Sequence, residues 1–289
     1  MNRNFKLISI LSFILLFISS SFAQQQEILP VKLKMISEGL YEVLDGRGAS
    51  GGVYIGENEV LLIDSKMDKK SVDETKEGIK KIADKTIKYL INTHSDADHI
   101  DGNQYLPQTT TFIAHENCRK EFFHPKRDGT PSDWNKPERR PFLPAITFRD
   151  QMNLYLGSKK VELWYFGIGH TTGDAVVYFR DEKTAFIGDQ IFLTRAQLIH
   201  SYKGGNSFEH VKTLTRMLEV LDAEKFYSGH SEMADRKTII KHIAEMKERQ
   251  GKVKALIDKN KTLEEIRNEV KPNETGLIET IYNELKRSK

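Results

Sequence analysis

The 289-residue chain is 38% hydrophobic and carries 44 Lys and Arg against 41 Asp and Glu, so it can bury a full core as one large domain or two small ones. Its near-neutral balance gives no basis for a nucleic-acid or anionic-surface partner. Cys118 is the sole cysteine, which excludes an internal disulfide and any Cys-rich zinc site, so a metal would have to be held by His and carboxylate.

The chain opens with Arg3 and Lys6, an apolar run from Leu7 to Ile18, and the small-residue signal Ser21-Phe22-Ala23. This pattern reads as a secretory signal peptide over 1–23. The run falls short of the roughly 20 residues that span a bilayer, and no later segment is apolar enough to do so. The mature protein, 24–289, is therefore expected to be periplasmic or secreted, with no membrane anchor. Loss of Arg3 and Lys6 would lower its formal charge from +3 to +1.

Strand-like runs follow at Leu40 to Leu44, Gly52 to Ile55 and Val60 to Ile63, the last ending on Asp64-Ser65. Ser71 with Glu74 reads as a capping box opening a Lys-rich helix, and Ile87 to Ile91 as a strand running into Asn92-Thr93-His94. A short helix is expected after Asp98, a strand at Thr111 to Ala114, and a helix holding Cys118 and Phe122. Pro125 to Pro144 reads as a loop over one face, with Trp134 and Phe142 as packing or substrate contacts. Strands return at Leu154 to Leu156, Val161 to Phe166, Ala175 to Phe179 and Thr184 to Ile187. Val211, Leu214, Leu218 and Leu221 have helical spacing, as do Ile239, Ile243 and Met246. A break is expected near Gly251, and Thr262 with Glu265 forms a second capping box. This order suggests two similar β-rich halves packed sheet on sheet, with helices outside.

Chemistry concentrates in His94-Ser95-Asp96-Ala97-Asp98-His99, at the end of an apolar strand. Packing does not explain four potential ligands in six residues. Two metals fit this segment better than one, with His94 and Asp96 serving one ion and Asp98 and His99 the other, because a single tetrahedral site would be strained. Gly169-His170-Thr171, Gly188-Asp189-Gln190 and Gly229-His230-Ser231 each place a further ligand type in a Gly-containing turn after a strand. His115, His124, His200, His210 and His242 are assigned to surface or core roles. Arg195 and Lys203 read as solvated charges, or as contacts for a substrate carboxylate.

The order H-x-D-x-D-H, Gly-His-Thr, Gly-Asp and Ser-Gly-His resembles the metallo-β-lactamase superfamily over nearly the whole mature chain, most closely from Tyr165 to Tyr178. The resemblance implies an α/β fold, a four-layer αβ/βα sandwich with a binuclear site at one edge. It also implies that His94, Asp96 and His170 bind a first ion and Asp98, His99 and His230 a second, with Asp189 bridging. An Asp at position 189 points to the glyoxalase and lactonase branches rather than the antibiotic-degrading ones. The expected activity is metal-dependent hydrolysis of an ester, lactone, thioester or β-lactam amide in a small-molecule substrate, with zinc the expected metal. Two ions would lower the pKa of a shared water and polarise a carbonyl, and Asp98 would orient that water.

The family motif has His where this chain has Asp96. A carboxylate makes the first site harder and opens it to iron or manganese, and restoring imidazole by Asp96→His is expected to tighten first-site zinc. Two alternatives stand beside hydrolysis. One is an iron-dependent redox enzyme on the same fold, as in family members with a carboxylate at the second motif position. The other is a catalytically decayed binding protein, of which Asp96 would be the first mark.

Overall fold

Short apolar runs separated by turn residues fold into two sheets, and the computed structural model describes residues 28–270 and 274–287 of the chain. The signal peptide expected at 1–23 lies outside the described residues.

The first sheet has seven strands in sequence order: β1 (Lys32–Ser37), β2 (Leu40–Leu44), β3 (Gly51–Ile55), β4 (Val60–Ile63), β5 (Ile87–Asn92), β6 (Thr111–His115) and β7 (Ile146–Phe148). β1 to β4 form an antiparallel meander and β4 to β7 pair in parallel. Helix α1 (Lys69–Ile82) supplies the crossover from β4 to β5, and α2 (Ala97–Ile100) and α3 (Glu116–Glu121) follow β5 and β6. The second sheet runs β13-β12-β11-β10-β9-β8, built from β8 (Gln151–Leu156), β9 (Lys159–Tyr165), β10 (Ala175–Phe179), β11 (Thr184–Phe186), β12 (Lys225–Tyr227) and β13 (Ala234–Asp235). Helix α4 (Ser207–Val220) crosses between the parallel pair β11 and β12, and α5 (Arg236–Asp258), α6 (Leu263–Asn268) and α7 (Thr275–Arg287) close the chain.

Strand alternation sorts the core into layers. Leu61 and Ile63 of β4 meet Val177 and Phe179 of β10 between the sheets. Their neighbours Val60 and Leu62 face Val72 and Ile79 of α1, while Val176 and Tyr178 face Leu214 and Met217 of α4 and Ile239, Ile243 and Met246 of α5. β4 and β10 are buried throughout, as their unbroken apolar runs require. The four-layer αβ/βα sandwich is thus present.

Two local expectations change. Asp68, not Ser71, caps α1, accepting from the Ser71 backbone N at 2.8 Å, and Glu74 instead accepts from Val31 N at 2.9 Å. Gly251 does not break α5, which runs unbroken to Asp258. An interior Gly costs about 1 kcal/mol. Burying Met246, Val253 and Ile257 returns about 1.5–3 kcal/mol each and outweighs it. The capping box at Thr262 and Glu265 forms as expected. Among the described residues no helix is long and apolar enough to cross a membrane.

His210 of α4 and His242 of α5 are buried as a pair, with Nε2 atoms 3.5 Å apart. Burial pushes His242 down to about 4, and burial together with the neighbouring His242 holds His210 well below the ordinary imidazole value. The unfolded chain protonates both near 6.5, so it binds more protons than the native state below that pH. Stability contributed by these neutral rings is therefore lost as pH falls below 6.5, by about 2 kcal/mol at pH 5 for His242. His242→Phe is expected to narrow the gap in Tm between pH 7 and pH 5. An unchanged gap would show that this ring does not set the acid sensitivity.

Candidate metal centre

The candidate ligands leave the ends of strands from both sheets at one edge of the sandwich. His94 follows β5, Asp98 and His99 lie in α2, His170 sits in the turn between β9 and β10, and Asp189 and His230 follow β11 and β12. Backbone hydrogen bonds lock the two sheets together there, from Ala175 N to Thr93 O at 2.7 Å and from Ser50 N to Gly229 O at 2.7 Å. Gly229 must be glycine, since a Cβ would lie 2.4 Å from Asp189 Oδ1 and 2.6 Å from His99 Cε1.

All seven predicted residues converge, in two groups. His94, Asp96, His170 and Asp189 form one; Asp98, His99 and His230 form the other; within each group the ligand atoms lie within 4.8 Å of one another. In the first, Asp96 Oδ2 is 3.0 Å from His170 Nε2 and 3.5 Å from His94 Nε2. In the second, Asp98 Oδ2 is 2.9 Å from His230 Nε2 and 3.8 Å from His99 Nε2. The carboxylate of Asp189 stands between them. Its Oδ2 is 3.9 Å from both His94 and His170 and 3.4 Å from His230, and its Oδ1 is 3.2 Å from His99. Tetrahedral zinc spaces its ligand atoms by about 3.3 Å, so these separations suit one ion in each group.

Ring orientation is fixed from behind. His99 Nδ1 lies 2.7 Å from Asp64 Oδ2, and His170 Nδ1 lies 2.8 Å from Leu198 O. Thr93 Oγ1 spends its proton on Asp64 and so accepts from His94 Nδ1 at 3.1 Å. Each ring thus donates through Nδ1 and turns Nε2 inward, the arrangement of a metal-ligating imidazole held by its other nitrogen. His94 Nε2, His99 Nε2 and Asp189 Oδ1 are buried and make no hydrogen bond. Buried polar atoms without partners are costly, and three of them aimed at common points fit a cation there.

The charges agree. Burial would lower the His170 and His230 rings, yet the facing carboxylates, Asp96 for His170 and Asp189 with Asp98 for His230, raise both to about 9. Burial would raise Asp189, but His99 and His230 hold it well below the usual carboxylate range. The anions of this pocket call for positive charge.

Four residues of this neighbourhood escaped the sequence reading. Asp64 is 4% exposed and accepts from Thr93 N at 2.8 Å, Thr93 Oγ1 at 2.7 Å and His99 Nδ1. Its only sequence signal was its place at the end of β4, level with the end of β5. Glu121 accepts from Ser95 Oγ at 2.6 Å and Thr172 N at 2.8 Å, tying α3 to both motif turns. His200, read as a surface or core residue, places Nε2 2.8 Å from Asp96 Oδ2. Lys203, read as a solvated charge or a contact for a substrate carboxylate, has a side chain 9% exposed and places its ammonium 2.7 Å from Asp96 Oδ1. The loop between β11 and α4 folds back over the first group, and neither residue's neighbours in sequence reveal this. Arg195 stays exposed, its guanidinium 4.1 Å from the centre of the Phe192 ring, which stacks on His230.

A cavity of about 460 Å³ opens on this edge, lined by Asp96, Asp98, Trp134, His200, Tyr202 and Lys203. Trp134, from the 125–144 loop, packs edge to face on Phe122 and is 4% exposed.

Comparison with known proteins agrees with this architecture. The family model of the metallo-beta-lactamase superfamily matches residues 44–230. A hydroxyacylglutathione hydrolase from Pelagibacter ubique (strain HTCC1062) is 28% identical over 159 residues, 54% of this chain, which spans 58% of that relative's length. Among solved structures, a metallo-beta-lactamase from Pontibacter korlensis superposes with a TM-score of 0.62 at 16% identity, covering 75% of this chain and 99% of that one. The DIM-1 metallo-beta-lactamase gives a TM-score of 0.62 at 17% identity, covering 77% and 99%. At these identities the solved structures speak for the fold alone. With the family model matching well over half of the chain, and both sheets and the His/Asp groups in place, the protein belongs to the metallo-beta-lactamase superfamily.

Proposed function

We propose that this protein is an exported, two-metal hydrolase that cleaves an ester, lactone, thioester or amide bond in a small molecule, with preference for the acyl esters and thioesters. The observation that carries it is the Asp189 carboxylate, 3% exposed, facing His94, His170, His99 and His230 at once. A single anion between two ligand groups is the arrangement a pair of cations needs. Divalent ions held there would supply an activated water and polarise a carbonyl.

The chain's own residues divide the remaining work. Asp98 has a side chain 28% exposed, against 13% for Asp96 and 3% for Asp189, and it lines the cavity. It is the carboxylate placed to orient a water and accept its proton, while His230 at 2.9 Å fixes its Oδ2. Trp134 and Tyr202 give the cavity apolar walls. The acyl preference draws on the partial relative, named as a hydroxyacylglutathione hydrolase, and on the Asp at position 189.

The test is a hydrolysis screen over thioesters, lactones, esters, β-lactams and phosphoesters with zinc, manganese or iron, run on the native protein, His99→Ala and His230→Ala. Each substitution is expected to lower turnover at least about 10³-fold, because the loss of one ion removes several kcal/mol of transition-state stabilisation. Circular dichroism should show the fold retained. Unchanged turnover in either variant would remove that residue from the site. Export is tested by the mature N-terminus, expected at Gln24.

A further inference from the structure

Asp96, its side chain 13% exposed, is an acid in a motif position that the family usually fills with a neutral imidazole. Alone it would add a negative charge beside Asp98 and Asp189. Its two oxygens, however, have different surroundings. Oδ2 is ringed by Nε2 of His94, His170 and His200 at 3.5, 3.0 and 2.8 Å. Oδ1 takes the ammonium of Lys203 at 2.7 Å.

The ammonium is fully committed. Its other contacts are Ser95 O at 3.0 Å and Ser95 Oγ at 2.9 Å, so three donors meet three acceptors. Ser95 Oγ donates its own hydrogen bond to Glu121 Oε2 at 2.6 Å. None of the three donors is left for a substrate carboxylate.

The backbone is built to deliver this lysine. His200 N donates to His170 O at 2.8 Å and Asn206 N to Gly169 O at 3.1 Å, so segment 200–206 is stitched onto the turn that carries His170. Gly205 permits the approach, since a Cβ there would lie 2.3 Å from His170 O. The turn Ser201–Lys203 then projects the lysine back over Asp96.

We propose that Lys203 is a positioning residue for the first metal group: its ammonium holds Oδ1 of Asp96, cancels that carboxylate's charge and turns Oδ2 toward His94 and His170. The Asp96–Lys203 pair thereby stands in for one neutral imidazole. His200 steadies the same oxygen from the cavity side. The inference rests on the metal-site reading above. It also reverses an expectation drawn from the sequence, in which Asp96→His would tighten zinc. With Lys203 in place, an imidazole at position 96 leaves that ammonium without its carboxylate counter-charge beside the ion.

Zinc titration against a competing chelator, with elemental analysis after dialysis, separates the outcomes. Asp96→His is expected to weaken first-site zinc at least tenfold, and the double variant Asp96→His with Lys203→Met to recover most of that loss. Tighter zinc in Asp96→His, or equal curves for the single and double variants, would overturn the proposal while leaving the metal site standing. Failure of the native protein to bind zinc, manganese or iron would overturn both. Should Asp96→His not fold, the visible spectrum of the cobalt-loaded protein decides instead. Lys203→Arg is expected to keep the native spectrum and Lys203→Met to change it, and three identical spectra would overturn the proposal.

Discussion

Replacing Asp189 with Ala is expected to drop the metal content from about two ions per chain toward one and to lower hydrolysis at least about 10³-fold. The side chain is the one group shared by both ligand sets, with each oxygen within 4 Å of at least one ligating imidazole. Burial alone would favour its neutral form, yet the adjoining His99 and His230 keep it an anion. An apolar methyl in its place removes that anion from between two cation sites, and their mutual repulsion then works against double occupancy. Asp189→Asn should fall between the two, since it keeps the shape and one acceptor but not the charge. Elemental analysis after dialysis, read with turnover on the substrate found by the screen, checks the result. Retention of both metals in Asp189→Ala would mean that the carboxylate does not join the groups.

The second large effect is expected at a residue outside any metal motif. Asp64 accepts from Thr93 N, Thr93 Oγ1 and His99 Nδ1, all buried. It holds φ +57, a left-handed conformation that Asp tolerates better than most residues. Asp64→Ala strands three buried donors at once. Breaking one side of such a buried pair costs about 3–5 kcal/mol. The freed His99 ring also loses its orientation, and loss of this kind of supporting carboxylate typically weakens metal binding about 10–100-fold. Urea unfolding of the metal-free protein measures the first effect and zinc titration the second. A metal-free stability equal to native would show that Asp64 is not a structural partner of His99 and Thr93.

The sequence alone determined the layered α/β architecture and the seven candidate ligands, because both are written in local patterns. The unbroken apolar runs of β4 and β10 mark strands covered on both faces without knowledge of any partner. Four potential ligands within His94 to His99 are too dense for packing, and each later ligand sits in a glycine turn after a strand. Local pattern failed where two local rules competed, as at Gly251, where helix propensity lost to the burial of Met246, Val253 and Ile257. Tertiary structure decided everything that depends on chain segments meeting. Asp64 reaches His99 across 35 residues, and Lys203 reaches Asp96 across 107. A buried acid looks the same in the sequence as an exposed one, and a buried lysine the same as a solvated one. Only the fold sets the distance between them, and at 2.7 Å in a part-buried site that distance decides whether Asp96 adds charge to the first metal group or brings its own counter-charge.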